Sequence, residues 1–190
     1  DVEVVFARGT DEPPPGIGVV GQALVDSLKP LVKGKSIRSY AVKYPASYDF
    51  LGGVADGAND ASAHAQATAK SCPKTKIVLG GYSQGAAVMD VVTTSPHHRP
   101  RLQGSVAGGD GRPHQRRRRL RQPVGAPRSA LDDAERPLRA KTADMCNTND
   151  PICSLGKDFT SHVRYPQSGL VKKAAQWIAD NHLNAKPTST

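Results

Sequence analysis

The stretch Ile77-Val78-Leu79-Gly80-Gly81-Tyr82-Ser83-Gln84-Gly85-Ala86-Ala87-Val88-Met89 decides how the rest of the chain is read. Its first four residues are a short apolar run with strand character. Its last four read as the opening of a helix. Between them lies G-x-S-x-G, Gly81 to Gly85. A strand, a sharp turn centred on a serine and then a helix is the setting in which this pentapeptide presents a nucleophilic hydroxyl. Glycines suit the two flanking positions because a side chain there would crowd the turn. The plain alternative is a glycine-rich turn that happens to contain a serine.

Outward from this point the pattern alternates. Strands are predicted at 2–6, 37–43, 75–80 and 141–145, and helices at 17–32, 54–70, 84–94 and 168–183. The last helix puts Leu170, Ala174, Trp177 and Ile178 on one face, and Ser168 is placed to cap its start. Alternation of this kind implies a parallel sheet with helices on both faces. The 190 residues suffice for one domain with a real core. No run is long and apolar enough for a transmembrane helix. The opening Val2-Glu3-Val4-Val5-Phe6 reads as a strand and not as a signal peptide, so the start looks trimmed or mature. Of the three cysteines, Cys146 and Cys153 are close enough to close a small loop, which points to an oxidising, exported setting. Three free thiols in a reducing compartment is the other reading.

The net charge of +9 is unevenly spread. Residues 97–140 contain eleven arginines and no lysine, against Asp110, Asp132, Asp133 and Glu135. They also lack Phe, Tyr, Trp, Ile and Met, and five prolines and five glycines interrupt any period. Such a segment buries too little apolar surface to offset the ordering of its backbone. Arg116 to Arg121 suggests a polyanion patch, but no aromatic side chain is interleaved for base stacking, so no specific nucleic-acid partner is expected.

A serine nucleophile needs a base and the base needs an orienting acid. Among the six histidines, His97, His98 and His114 fall in the arginine-rich segment. His64 reads as a surface residue of a helix, and His182 as a solvated residue near a helix end. His162, in a loop-like stretch late in the chain, fits the order nucleophile, acid, base. Asp150 fits the acid: it follows the predicted strand 141–145 and lies between Cys146 and Cys153. Asp144 and Asp158 compete with it, and Asn149-Asp150-Pro151 is equally well explained as a turn.

Phe6-Ala7-Arg8-Gly9-Thr10, Gly80 to Ala87, Cys146-Asn147-Thr148-Asn149-Asp150-Pro151-Ile152-Cys153 and His162 together resemble the cutinase family, above all the cutinase-like esterases exported by mycobacteria and related actinobacteria. The resemblance covers residues 1–96 and 141–183. It implies an α/β-hydrolase fold, a three-layer sandwich about a central parallel sheet, disrupted at 97–140. It implies an exported or cell-wall-associated monomer that hydrolyses lipid-like esters through an acyl-enzyme, with no metal or organic cofactor. Ser83 then corresponds to the nucleophile, His162 to the base and Asp150 to the acid. Thr10 and Gln84 supply the oxyanion-hole amides, and Cys146 and Cys153 form a disulfide. Cys72 matches a family cysteine whose partner would precede Asp1.

Residues 97–140 depart from the family, which has there a strand ending in Phe-Gly-Asn-Pro or Phe-Gly-Asp-Pro. Read one base later, codons for residues 116–125 can encode an Ala/Val-rich strand followed by Phe-Gly-Asn-Pro-Ser. The expectation is a segment translated out of frame, with the frame restored near Lys141. Asp150 and His162 are then expected to be misplaced relative to Ser83. An inactive cutinase-like remnant and a polyanion binder are the alternatives to a working esterase.

Overall fold

The computed structural model describes residues 1–94 and 141–184. The predicted frame-shifted segment and its arginine run lie outside the described residues. Among the described residues three strands form a parallel sheet in the order β2-β1-β3, with β1 Val2–Ala7, β2 Ile37–Ala41 and β3 Lys76–Gly81. The helices are α1 Gly18–Leu28, α2 Phe50–Ser71, α3 Gln84–Thr94, α4 Phe159–Val163 and α5 Leu170–Ile178. A 3-10 turn, Lys29–Leu31, extends α1, and a π-helical turn, Ala179–Leu183, extends α5.

The central strand is buried along its whole length, and its alternation divides the core. Val2, Val4 and Phe6 face α1 and α5, meeting Leu24, Leu28, Val171 and Ala175. Val5 and Ala7 face α2 and α3, meeting Val54, Ala58, Ala61, Val88 and Val92. Period-2 side chains on a strand covered by helices on both sides give three layers. Glu3 interrupts this pattern as a buried carboxylate on β1, met by Arg38 Nε at 2.9 Å and His64 Nε2 at 3.2 Å. Among the described residues no helix is long and apolar enough to cross a membrane.

Four sequence expectations need correction. Residues 141–145 form no strand. A strand needs a hydrogen-bonded neighbour, and none of the described strands pairs with them. Helix α2 begins at Phe50, earlier than predicted, because the Asp49 side chain accepts the Gly52 N–H and caps it. His64 is not a free surface residue: its ring stacks on Tyr40 at 3.4 Å beside Glu3. His182 is not solvated either. Its Nε2 is buried against Trp177, and burial followed by the Lys141 charge lowers its pKa.

Candidate active site

The parallel sheet ends, at the carboxyl side of β3, in the turn that carries Ser83. Ser83 has φ +56°, a left-handed conformation uncommon for a residue with a Cβ. What holds it there is steric. A Cβ on Gly81 would lie 2.0 Å from the Gly85 carbonyl oxygen, and one on Gly85 would lie 2.0 Å from the Ala7 carbonyl oxygen. The Tyr82 amide donates to that same Ala7 oxygen at 3.1 Å. The elbow is therefore clamped between β1 and the first turn of α3, and its serine hydroxyl is turned outward.

His162 meets it from the other end of the chain. Ser83 Oγ lies 3.0 Å from His162 Nε2, and His162 Nδ1 lies 2.8 Å from Asp150 Oδ2. His162 is carried on α4 and not in a loop; Asp158 caps that helix, accepting the Thr160 amide. Asp158 is thus occupied and Asp144 is exposed, while Asp150 is the carboxylate that meets the imidazole. The geometry accommodates both the turn and the imidazole contact at Asp150. Its Oδ1 closes a turn by accepting the Ile152 amide at 2.8 Å, while its Oδ2 faces the imidazole. The carboxyl has no exposed surface. Burial works to raise its pKa, but hydrogen bonds from His162, the Ile152 amide and Tyr165 outweigh it and keep it below the ordinary carboxylate range. A charged acceptor beside Nδ1 favours the tautomer with the proton on that nitrogen, which leaves the Nε2 lone pair facing Ser83 Oγ. The expected misplacement of Asp150 and His162 does not occur.

Cys146 and Cys153 are bonded, and Cys72 is a free thiol. Thr10 lies beside the elbow, its Oγ1 donating to Gln84 Oε1 at 3.3 Å. The buried Gln84 side chain also donates to the carbonyls of Ser47 at 3.0 Å and Phe50 at 3.4 Å. One amide side chain thereby ties together the loops after β1, β2 and β3. The turn holding Thr10 is braced from below. The Glu12 carboxylate accepts the Gly9 and Val19 amides at 2.6 and 2.7 Å, and the buried Arg8 donates to the Glu12, Tyr44 and Pro45 carbonyls.

Sequence reasoning missed two tyrosines. The Tyr82 hydroxyl donates to the His162 carbonyl at 2.6 Å, and its ring stacks against the imidazole at 5.2 Å. The Tyr165 hydroxyl donates to Asp150 Oδ2 at 2.8 Å. Tyr82 sits inside the pentapeptide and Tyr165 three residues after His162, so proximity to the motifs was the only available signal.

A central parallel sheet sandwiched by helices, with an alcohol, an imidazole and a carboxylate in hydrogen-bond series beyond its carboxyl edge, defines an α/β-hydrolase. Within that class, a family profile described as Cutinase matches residues 1–182. The chain is 45% identical over 189 residues to Phospholipase Culp4 of Mycobacterium tuberculosis, covering 94% of this chain and 77% of that one. It is 43% identical over 182 residues to Carboxylesterase Culp1 of Mycobacterium tuberculosis, covering 95% and 81%. Among solved structures, the catalytic core domain of acetyl xylan esterase from Trichoderma reesei superposes with a TM-score of 0.67 at 23% identity, covering 96% of this chain and 98% of that one. Trichoderma reesei cutinase in complex with a phosphonate inhibitor superposes with a TM-score of 0.59 at 24% identity, covering 97% and 77%. The chain belongs to the cutinase family of carboxylic ester hydrolases.

Proposed function

We propose that the chain is one exported cutinase-like domain that hydrolyses lipid-like carboxylic esters through an acyl-enzyme, with Ser83 as nucleophile, His162 as general base and Asp150 as orienting acid. The observation that carries the proposal is the uninterrupted series Ser83 Oγ, His162 Nε2, His162 Nδ1, Asp150 Oδ2 at 3.0 and 2.8 Å. Ser83 Oγ attacks the ester carbonyl as its proton passes to Nε2. The oxyanion is received by the backbone amides of Thr10 and Gln84. Collapse expels the alcohol, which takes the proton back from the imidazolium. Water, activated by the same nitrogen, then releases the acid and regenerates Ser83. The Gln84 amide opens α3, so the positive end of the helix dipole adds to the oxyanion site.

The surroundings support a lipid-like substrate of short to medium acyl chain, in a cutin-like polyester or a glycerolipid. Tyr48, Leu51, Ile152, Leu155 and Phe159 are exposed, on the segments that carry the Gln84 contacts and the Asp150–His162 pair. Phe159 stands 5.3 Å from the His162 ring. Exposed apolar side chains gathered round a site favour an apolar ligand. The 45% identical phospholipase widens the candidate esters to glycerophospholipids. The Cys146–Cys153 disulfide supports an oxidising, extracellular or cell-wall setting.

Hydrolysis of p-nitrophenyl butyrate by the wild type and by Ser83→Ala tests the reading. Loss of the nucleophile should lower kcat by ~10⁴-fold or more. Equal rates for the two proteins would overturn it.

A further inference from the structure

Tyr165 is 7% exposed, and its hydroxyl has a crowded environment. The oxygen accepts the Asn147 amide at 3.2 Å. It lies 3.2 Å from Cys153 Sγ, which is bonded to Cys146 and has no proton to give. The single phenolic proton is thus free to go to the charged acceptor, Asp150 Oδ2 at 2.8 Å. That oxygen is the one that also receives His162 Nδ1 at 2.8 Å. The carboxylate oxygen that orients the imidazole is therefore shared between an imidazole N–H and a phenol O–H, with no water access to the acid.

We propose that Tyr165 is a positioning residue of the hydrolase: its hydroxyl fixes Asp150 Oδ2 and, by drawing on that oxygen's charge, sets how strongly the acid holds protonated His162. The proposal rests on the triad reading above. Burial, and then the hydrogen bond to Asp150 and its charge, raise the phenol above its ordinary range against the opposing Asn147 amide, so it stays a donor throughout neutral pH. Among the described residues the groups facing the pair are few. Tyr165 meets it from beyond α4, and Tyr82 from the elbow, its own phenol pushed up to about 12 by burial and by the Glu12 and Asp150 charges. Asp158 is turned into the cap of α4, accepting Thr160 and Ser161, with Arg164 as its counter-charge.

The sign follows from sharing. Remove the phenol proton and the carboxylate becomes more basic toward the imidazolium, so the base stays protonated to higher pH. In Tyr165→Phe the acid limb of the kcat/KM–pH profile should move up by ~0.5 pH unit, kcat should fall ~10-fold and KM should stay within about twofold. Site-specific replacement of Tyr165 by 3-fluorotyrosine keeps the shape and strengthens the donor, so it should move the same limb down. A purely structural tyrosine would lower turnover evenly across pH in the Phe variant and leave both limbs in place. Unmoved limbs overturn the proposal, and if Tyr165→Phe does not fold, the fluorotyrosine enzyme alone decides. Ser83→Ala separates the two levels. If it is inactive while the limbs stay put, only the role of Tyr165 fails; if it turns over normally, the triad reading fails and takes this proposal with it.

Discussion

The two halves of the site are held in place by different physics. The elbow half, Gly81 to Gly85, is fixed by backbone against backbone. Its glycines approach the carbonyls of Gly85 and Ala7 so closely that a Cβ would sit 2.0 Å away, and β1 and β3 are in register through the pair Ala7–Gly81. The acid–base half, residues 146–165, pairs with no strand among the described residues. Backbone bonds such as the Asp158 amide to the Asn149 carbonyl at 3.1 Å fold it on itself, and it is fastened further by a disulfide and by bonds that involve side chains: Asn147 Nδ2 to the Ser161 carbonyl at 2.7 Å, Tyr165 to Asp150, and Tyr82 to the His162 carbonyl. A tight backbone approach exists there too, at Gly156 against Asn149, but it lies within the arm and not against the sheet. Backbone clamping is all-or-none, because the clamped atoms cannot be traded for others. Side-chain bracing is graded, because each bond can be removed alone.

The largest effect should come from breaking the clamp. In Gly85→Ala the new methyl group meets the Ala7 carbonyl, so β1 or α3 must move and the three-layer packing loosens. Overpacking against backbone should cost about 3 kcal/mol or more, and for a chain of this size that is on the order of a 10 °C drop in Tm. Circular dichroism melts and soluble yield measure it, and ester turnover should vanish with the elbow. A variant that melted within two degrees of wild type and kept its rate would show that the backbone contact does not govern the serine.

Breaking the arm should cost less and should leave the sheet intact. The double replacement Cys146→Ser with Cys153→Ser frees a loop of sequence separation 7. In the chain-entropy model this is worth about 2–3 kcal/mol. The loss of kcat should be partial, ~10-fold, because Asp150 keeps its bonds to Ile152 and Tyr165 while its loop gains freedom. Melting and kinetics under non-reducing conditions check both parts. Complete loss of turnover with unchanged stability would mean that the disulfide acts directly on the chemistry and not as a brace.

The same division explains what could be read from the sequence. The elbow was legible because its requirement is local: glycine on either side of the serine, a strand before and a helix after. The order Ser83, Asp150, His162 was legible for the same reason, through motifs. The strand expected at 141–145 does not form, because Lys141-Thr142-Ala143-Asp144-Met145 has no alternation of its own to fix a strand and none of the described strands takes its hydrogen bonds. Helix α2 begins four residues before the predicted 54, through Gly52 and Gly53, residues that intrinsic propensity disfavours in a helix. Tertiary contact overrides that: a Cβ at Gly53 would meet Gln84 Nε2 at 3.0 Å, and one at Gly57 would meet Val88 at 2.8 Å, so small residues let α2 approach α3. Tyr165 and the buried side-chain role of Gln84 left no local mark beyond their nearness to the motifs. Their partners lie 15 and up to 74 residues away, and only the folded chain brings them together.

The smallest effect concerns an unfavourable interaction between the helix behind the elbow and the segment that leads into the arm. Asp90, on α3 behind the elbow, has its carboxyl pushed up to about 6, by burial first and by the Asp144 charge from that segment second. A carboxyl whose folded pKa is raised is held best when protonated. Its contribution to stability is therefore fully present below the unfolded value of 3.8 and is lost as pH rises through about 6. At pH 7.5 the chain carries a desolvated, like-charge repelled anion between the helix and that segment; at pH 4 the cost is almost gone. Asp90→Asn removes the charge while keeping the shape. Since solvent reaches part of the group, the gain at pH 7.5 should be modest, about 1 kcal/mol or a Tm rise of about 2–4 °C. At pH 4 the variant and the wild type should melt together. Melts across pH 4 to 8 measure the divergence, and Asp144→Asn should reproduce only the part due to repulsion. A gain that is the same at both ends of the range would assign the effect to packing around position 90, and the helix and the segment would then meet without electrostatic strain.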